Sequence, residues 1–312
     1  MASFLVVSAR KFVKHEQIFI ALITKKIQWK ARPLGNAKKK DNKIDKMKIA
    51  IIGTGNLGKS IAKGLITNNA ITTLYLTKRN LEDIKDLEGY KNVVLSTDNI
   101  EAVKHSDILI FAVQPAHFEG ILNDLKPHLT EQHVLISTIT GFEISKIEAQ
   151  VGSDQFIVRA MPNTAIAVGK SMTCLCSNEK GKKRIQIAEA IFNRLGHTLA
   201  IPETQMQAAT VVCASGIAFW MRLIRATTQA AIQLGFDAKE AQQLAMYTSE
   251  GAASLLITSG NHPEEEIDRV TTPQGCTITG LNEMEHQGLS SSLIQGMVAS
   301  FDKINTIKKK QI

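Results

Sequence analysis

The 312 residues carry 44% hydrophobic side chains, enough for one or two domains with substantial cores. The net charge of +8 invites a nucleic-acid reading, but residues 1–46 hold twelve Lys or Arg against three acids, which leaves residues 47–312 near −1. Four cysteines without a C-x-x-C pair and eight scattered histidines exclude an obvious zinc site and read as free thiols in a reducing compartment.

The basic tail, ending in Lys38-Lys39-Lys40-Asp41-Asn42-Lys43, stops just before Met47, itself a natural start. Residues 1–46 read as an upstream-extended gene start or a disordered leader, with a basic, acid-poor transit segment as the rival. The apolar piece Ile18 to Ile23 is too short to span a bilayer, and no other segment is expected to approach that length.

From Met47 to about Ile201 strand-like apolar runs alternate with helical stretches. The runs are Lys48 to Ile52, Leu74 to Thr77, Val93 to Leu95, Ile108 to Val113, Val134 to Ser137, Phe156 to Arg159, Thr173 to Cys176 and Thr198 to Ile201. This alternation predicts an α/β fold, a Rossmann-type doubly wound, mostly parallel sheet covered on both faces. The first run feeds directly into Gly53-Thr54-Gly55-Asn56-Leu57-Gly58, a G-x-G-x-x-G turn. Gly53 makes the tight turn, Gly55 lets backbone N–H groups approach a pyrophosphate, and Gly58 lets the next helix pack on the strand. Leu57, Ile61, Ala62, Leu65 and Ile66 supply the apolar stripe of that helix.

Readers of NAD usually place an acid about twenty residues past the glycines to hold the ribose 2′-hydroxyl. Here the second strand ends in Thr77-Lys78-Arg79-Asn80, two cations and no acid, which suits the 2′-phosphate of NADP. Further strand-end loops are Ala112-Val113-Gln114-Pro115 and Ser137-Thr138-Ile139-Thr140-Gly141. After the sixth run comes Arg159-Ala160-Met161-Pro162-Asn163-Thr164, where Asn163 either faces a ligand or caps its own backbone.

Past Pro202 the period becomes helical: Glu203 to Cys213, Gly216 to Leu234, Ala238 to Ser259, Thr277 to Gln287 and Leu289 to Ile307. Breakers fall at Gly235-Phe236-Asp237, at Gly260 to Pro263 and at Pro273-Gln274-Gly275. Gly275 should open a helix whose free N–H groups suit a carboxylate, with the Thr277 hydroxyl beside them, although an ordinary N-cap reads the same way. The domains expected are thus a dinucleotide-binding unit over 47–202 and an all-α unit over 203–312.

The motifs IGTGNLG, HSDILIFAVQP, RAMPNT, CASGIAF and HPEEEIDRVTTPQGCTITGL occur in this order from Met47 to about Ile307, and with them the chain resembles the pyrroline-5-carboxylate reductase family. The resemblance implies an all-helical C-terminal dimerisation domain and active sites at a subunit interface of a homodimer or larger homo-oligomer. It implies NADPH, with NADH as a lesser option, bound by Ile52 to Gly58, Lys78, Arg79, Asn99, Ala112 to Pro115 and Thr140. The substrate site would comprise Glu203, Asn163, Gly275, Cys276 and Thr277, with Thr277 as the catalytic residue at the ring nitrogen. A cytoplasmic enzyme of proline synthesis is the implied role, with no metal, nucleic acid or membrane partner.

Departures from the family pattern are Cys213, Ala214, Ile217 and Phe219 in a stretch that usually reads S-G-S-G-P-A-Y. Gln274 replaces the first glycine of S-P-G-G-T-T, and Gln114 the lysine of A-V-K-P. They keep two alternatives open, a related imine reductase and a catalytically silent NADP-binding relative. A β-hydroxyacid dehydrogenase would present a catalytic lysine on a helix, and Thr210 to Gln233 holds none.

Overall fold

The computed structural model describes residues 47–67 and 72–310; the basic segment 1–46 and the leader expected there lie outside the described residues. The fold is built on an eight-stranded sheet of order β3-β2-β1-β4-β5-β6-β7-β8. The strands are β1 (Lys48–Ile52), β2 (Thr73–Thr77), β3 (Val93–Ser96), β4 (Ile108–Phe111), β5 (Val134–Ser137), β6 (Phe156–Met161), β7 (Ser171–Ser177) and β8 (Gly196–Ala200). Every pairing is parallel except β6 with β7.

Alternate residues of β1 feed opposite cores, because side chains along a strand point to opposite faces. Ile49 and Ile51 pack with Ile61 and Leu65 of α1 (Asn56–Thr67) and with Ile191 and Phe192 of α5 (Ile185–Phe192). Ala50 and Ile52 face Val103 of α2 (Asn99–Lys104), Leu122 of α3 (Pro115–Leu125) and Ile147 of α4 (Ile144–Val151). Burial on both faces explains why the strands read as continuous apolar runs rather than as alternation.

Several strand limits differ from expectation, and among the C-terminal ends those of β4 and β6 differ most. β4 stops at Phe111 instead of Val113, because the Ala112 N–H still bonds to Ile52 O but the chain then turns into Pro115 at the start of α3. β6 runs to Met161 instead of Arg159, because antiparallel β7 continues the ladder through Ala160↔Leu175 and Met161↔Cys174.

After the sheet the chain is helical. A 3₁₀ turn, Glu203–Gln205, leads into α6 (Met206–Ala209), a π turn over Thr210–Ser215 and α7 (Gly216–Gln233). The two helices expected here are therefore one 31-residue helical run, Glu203–Gln233, long and apolar enough to cross a membrane, contrary to the expectation that no segment is. The π turn inserts its extra residue without breaking the helix, which is why Gly216 does not end it. Met206 and Ala209 anchor this run in the second core.

Then follow α8 (Ala238–Ser259), capped by Asp237, α9 (Pro263–Val270), α10 (Cys276–His286) and α11 (Leu289–Lys310). The helix α9 falls between two expected breakers, where no helix is expected. Pro263 occupies its first turn, where the missing N–H costs nothing, the His262 ring accepts from Glu264 N, and Glu264, Glu265 and Glu266 suit the positive helix end.

Candidate active site

The strand order reverses between β1 and β4, and open α/β sheets bind ligands outside the carboxyl ends at such a point. A cleft of about 760 Å³ lies there. Ile52, Gly53, Thr54 and Gly55 line it after β1, Thr77, Lys78, Arg79 and Asn80 after β2, and Ala112, Val113 and Gln114 after β4. Asn99, at the start of α2, completes the expected set within it.

The loop is held open by backbone and glycine geometry. Thr54 N donates to Thr77 O at 2.8 Å, and Gly53 N to Thr77 Oγ1 at 3.3 Å, which ties the turn to the neighbouring strand. Gly53 sits at φ +90°, and a side chain there would collide with Val113. A Cβ on Gly58 would stand 2.5 Å from Gly53 O, so only glycine lets α1 close on the turn, whereas nothing lies within 4 Å of a Cβ built on Gly55. That open space at a helix start, with no acid in the first turn of α1, fits a pyrophosphate. Thr54 Oγ1 is fully buried beneath the loop without a hydrogen-bond partner among the described residues.

At the end of β2 the sequence shows two cations and no acid, and the structure corrects this. Asp83, from the 3₁₀ turn Leu81–Leu87, folds back into the same part of the cleft and pairs with Lys78 Nζ at 2.8 Å. Arg79 is exposed and has no ion pair among the described residues.

Not every expected contact reaches the cleft. Asn56, Leu57 and Gly58 belong to α1 behind the loop, Pro115 opens α3, and Thr140 is exposed on another loop; none of them lines it. Instead one face of α3 does, through Ala116, His117, Gly120, Ile121 and Asp124. Their spacing of three and four residues after Pro115 is the signal that could have found them.

The residues expected at the substrate lie apart from this cleft, whose lining includes nothing beyond Asp124. Glu203 Oε1 accepts from Arg159 Nη1 at 2.7 Å and from Ile144 N at 2.8 Å, and so ties the helical run to the end of β6. Asn163 follows the alternative reading. Its Oδ1 caps Ala165 N at 3.0 Å and its Nδ2 donates to Cys213 O at 3.1 Å, so the buried amide joins the β6 loop to the π turn. Cys213 Sγ lies 3.8 Å from Cys174 Sγ; hydrogen bonding from Cys174 holds the Cys213 thiol down at about 7 and pushes Cys174 up.

Gly275 is the N-cap of α10 without a side-chain cap, leaving the first N–H groups of Cys276 and Thr277 exposed beside the Thr277 hydroxyl. A Cβ on Gly275 would collide with Thr272 Oγ1. The turn before it has Pro273 second and Gln274 third at φ 60°, the only non-glycine residue at positive φ among those described. A third position of this kind is normally glycine, and the left-handed region costs another residue roughly 1–2 kcal/mol. Gln274→Gly, which restores the family pattern, is expected to raise stability by about 0.5 kcal/mol once the unfolded chain's added freedom is counted. Urea denaturation checks the sign, and a loss of stability would show that the Gln side chain makes a compensating contact.

The family described as "Pyrroline-5-carboxylate reductase dimerisation" matches residues 203–307, and that described as "NADP oxidoreductase coenzyme F420-dependent" matches 48–141. Pyrroline-5-carboxylate reductase 1 of Dictyostelium discoideum is 44% identical over 271 residues, 82% of this chain and 49% of the relative, so the chain spans about half of that protein's length. Pyrroline-5-carboxylate reductase 2 of the same organism is 40% identical over 272 residues, 82% of this chain and 91% of the relative. Among solved structures, the pyrroline carboxylate reductase of Plasmodium falciparum with NADP bound is 26% identical with a TM-score of 0.75, over 84% of this chain and 98% of that one. With both halves matched in order and the glycine-cradled cleft in place, the chain belongs to the pyrroline-5-carboxylate reductase family.

Proposed function

We propose that this protein is an NAD(P)H-dependent oxidoreductase that reduces 1-pyrroline-5-carboxylate to L-proline, the last step of proline synthesis, with NADPH the preferred donor. The observation that carries this is a division of labour. A cofactor cleft sits at the sheet's switch point, and a separate, uncapped helix start carries Gly275, Cys276 and Thr277 in the half that matches the family's dimerisation region. We read the chain as two domains, 47–202 and 203–312.

Bound NAD(P)H supplies a hydride to the imine carbon. The chain's own part is position and charge, which suffices because a protonated imine is already electrophilic. The N–H groups of Cys276 and Thr277 hold the substrate carboxylate at the positive helix end, the Gly275 N–H being already bonded to Thr272 O. The Thr277 hydroxyl orients the ring nitrogen, and Glu203 and Asn163 fix the segments around the site through Arg159 and Cys213.

Because α10 does not reach the cleft of its own chain, the site is read as completed by a second copy in a homodimer or larger assembly. Exposed apolar residues such as Trp220 on α7 and Tyr247 on α8 suit a partner subunit, and those on α7, Trp220 and Met221 among them, account for the apolarity of Glu203–Gln233 without a bilayer. A cytoplasmic location and the absence of a nucleic-acid partner belong to the same reading.

The test is NADPH oxidation by the full chain with 1-pyrroline-5-carboxylate, repeated with NADH and with larger cyclic imines. Turnover fastest on the five-membered ring is expected. Faster turnover of a larger ring would make it a broader imine reductase, and NADPH binding without turnover of any imine a silent relative.

A further inference from the structure

The ribose end of the cleft holds opposed charges. Lys78 and Arg79 stand with Asp83, and Asp124 lines the facing helix, so the formal charges of Lys, Arg, Asp and Glu in the wall cancel. The pair Lys78–Asp83 is partly exposed on both sides. Its carboxylate is nonetheless well placed. Ile84 and Leu87 bury the 3₁₀ turn, Asn80 caps it by accepting from Glu82 N at 3.2 Å, and Lys59 Nζ donates to Asp83 O at 2.8 Å. The nearby Lys59 and Lys63 are held by Asp86 at 2.6 and 3.1 Å, which leaves Lys78 as the cation that Asp83 controls.

We propose that Asp83 is a specificity-determining residue that sets the balance between NADPH and NADH. Its carboxylate draws Lys78 away from a 2′-phosphate, repels that phosphate within the range over which salt leaves charges unscreened, and offers an acceptor to a 2′-hydroxyl. This rests on the reading that the cleft holds NAD(P)H. It also differs from what the strand end suggests, since the acid that tempers NADP recognition comes from the turn beyond it.

The experiment is calorimetric titration of the full chain with NADP⁺ and with NAD⁺, no imine present, for the unaltered protein, Asp83→Asn, Lys78→Ala and the double variant. Asp83→Asn keeps the backbone acceptor for Lys59 and changes a half-exposed side chain, so the fold should be unaffected. Loss of one partly screened charge should tighten NADP⁺ about three- to tenfold and leave NAD⁺ unchanged or about twofold weaker. In the Lys78→Ala background the gain should fall below about twofold, because there is no ammonium left to release. An unmoved NADP⁺ to NAD⁺ ratio would overturn the proposal alone. An undiminished gain without Lys78 would overturn the role of the ion pair, and failure to bind either dinucleotide would overturn the cofactor reading and the proposal with it.

Discussion

Charging the bare helix faces, with Trp220→Glu and Tyr247→Glu together, is expected to abolish assembly and turnover while NADP⁺ binding survives. The reason lies in where burial stops. No described residue from Met246 to Thr306 is buried, and α8 buries only Ala241 and Ala245. Helices without a buried face cannot offset the conformational entropy of folding, so their apolar surface must be covered by another subunit. Trp220 and Tyr247 are 62% and 69% exposed in the single chain. Truncating an aromatic anchor at an interface costs about 2 kcal/mol or more, and two-fold symmetry counts each change twice. The pair therefore removes on the order of 8 kcal/mol, about six decades in Kd. Analytical ultracentrifugation reads the assembly and fluorescence titration reads NADP⁺. The cleft holds no residue beyond Asp124, so its affinity should stay within about twofold. A variant that keeps both its assembly and its activity would refute this interface.

Thr277→Val should lower kcat/KM for 1-pyrroline-5-carboxylate by about 10- to 100-fold, the worth of one hydrogen bond to a charged group, without changing the Kd for NADPH. Its partner experiment asks whether the site is shared. Gly55→Asp points a carboxylate into the open space at the glycine loop, where nothing lies within 4 Å, and should remove cofactor binding without unfolding the chain. Co-expressed with Thr277→Val, it leaves each mixed dimer one intact site if α10 serves the partner's cleft, so about a quarter of full activity should return. No recovery would place Thr277 and the cleft of one chain in the same site.

Much of the cleft was legible beforehand because its parts are local. A glycine loop between a strand and a helix is a contiguous motif, and Gly53, Gly55, Lys78, Arg79 and Ala112 to Gln114 all stand at the expected strand ends, with Asn99 at the helix start after β3. Asp83 and the α3 face were missed since they enter the wall by folding back, and nothing in a strand-end pattern specifies how a following turn returns. Asn163 was ambiguous for a related reason. Its partners are Ala165, two residues on, and Cys213, 50 residues on, and only the first is foreseeable from its neighbourhood.

By itself the sequence determined the sheet, the change to helices after Pro202 and the dinucleotide loop, because burial on both faces and backbone sterics at glycine act within a few residues of one another. Only the tertiary structure decided that Glu203–Gln233 runs through a π turn as one helix, that Asp83 holds Lys78, and that α10 stays away from its own chain's cleft. Lys78 and Asp83 are near in sequence and meet only because the chain folds back after β2, whereas the π turn and the place of α10 depend on packing between segments far apart in the chain, such as Asn163 with Cys213, and residue order alone does not set such distances.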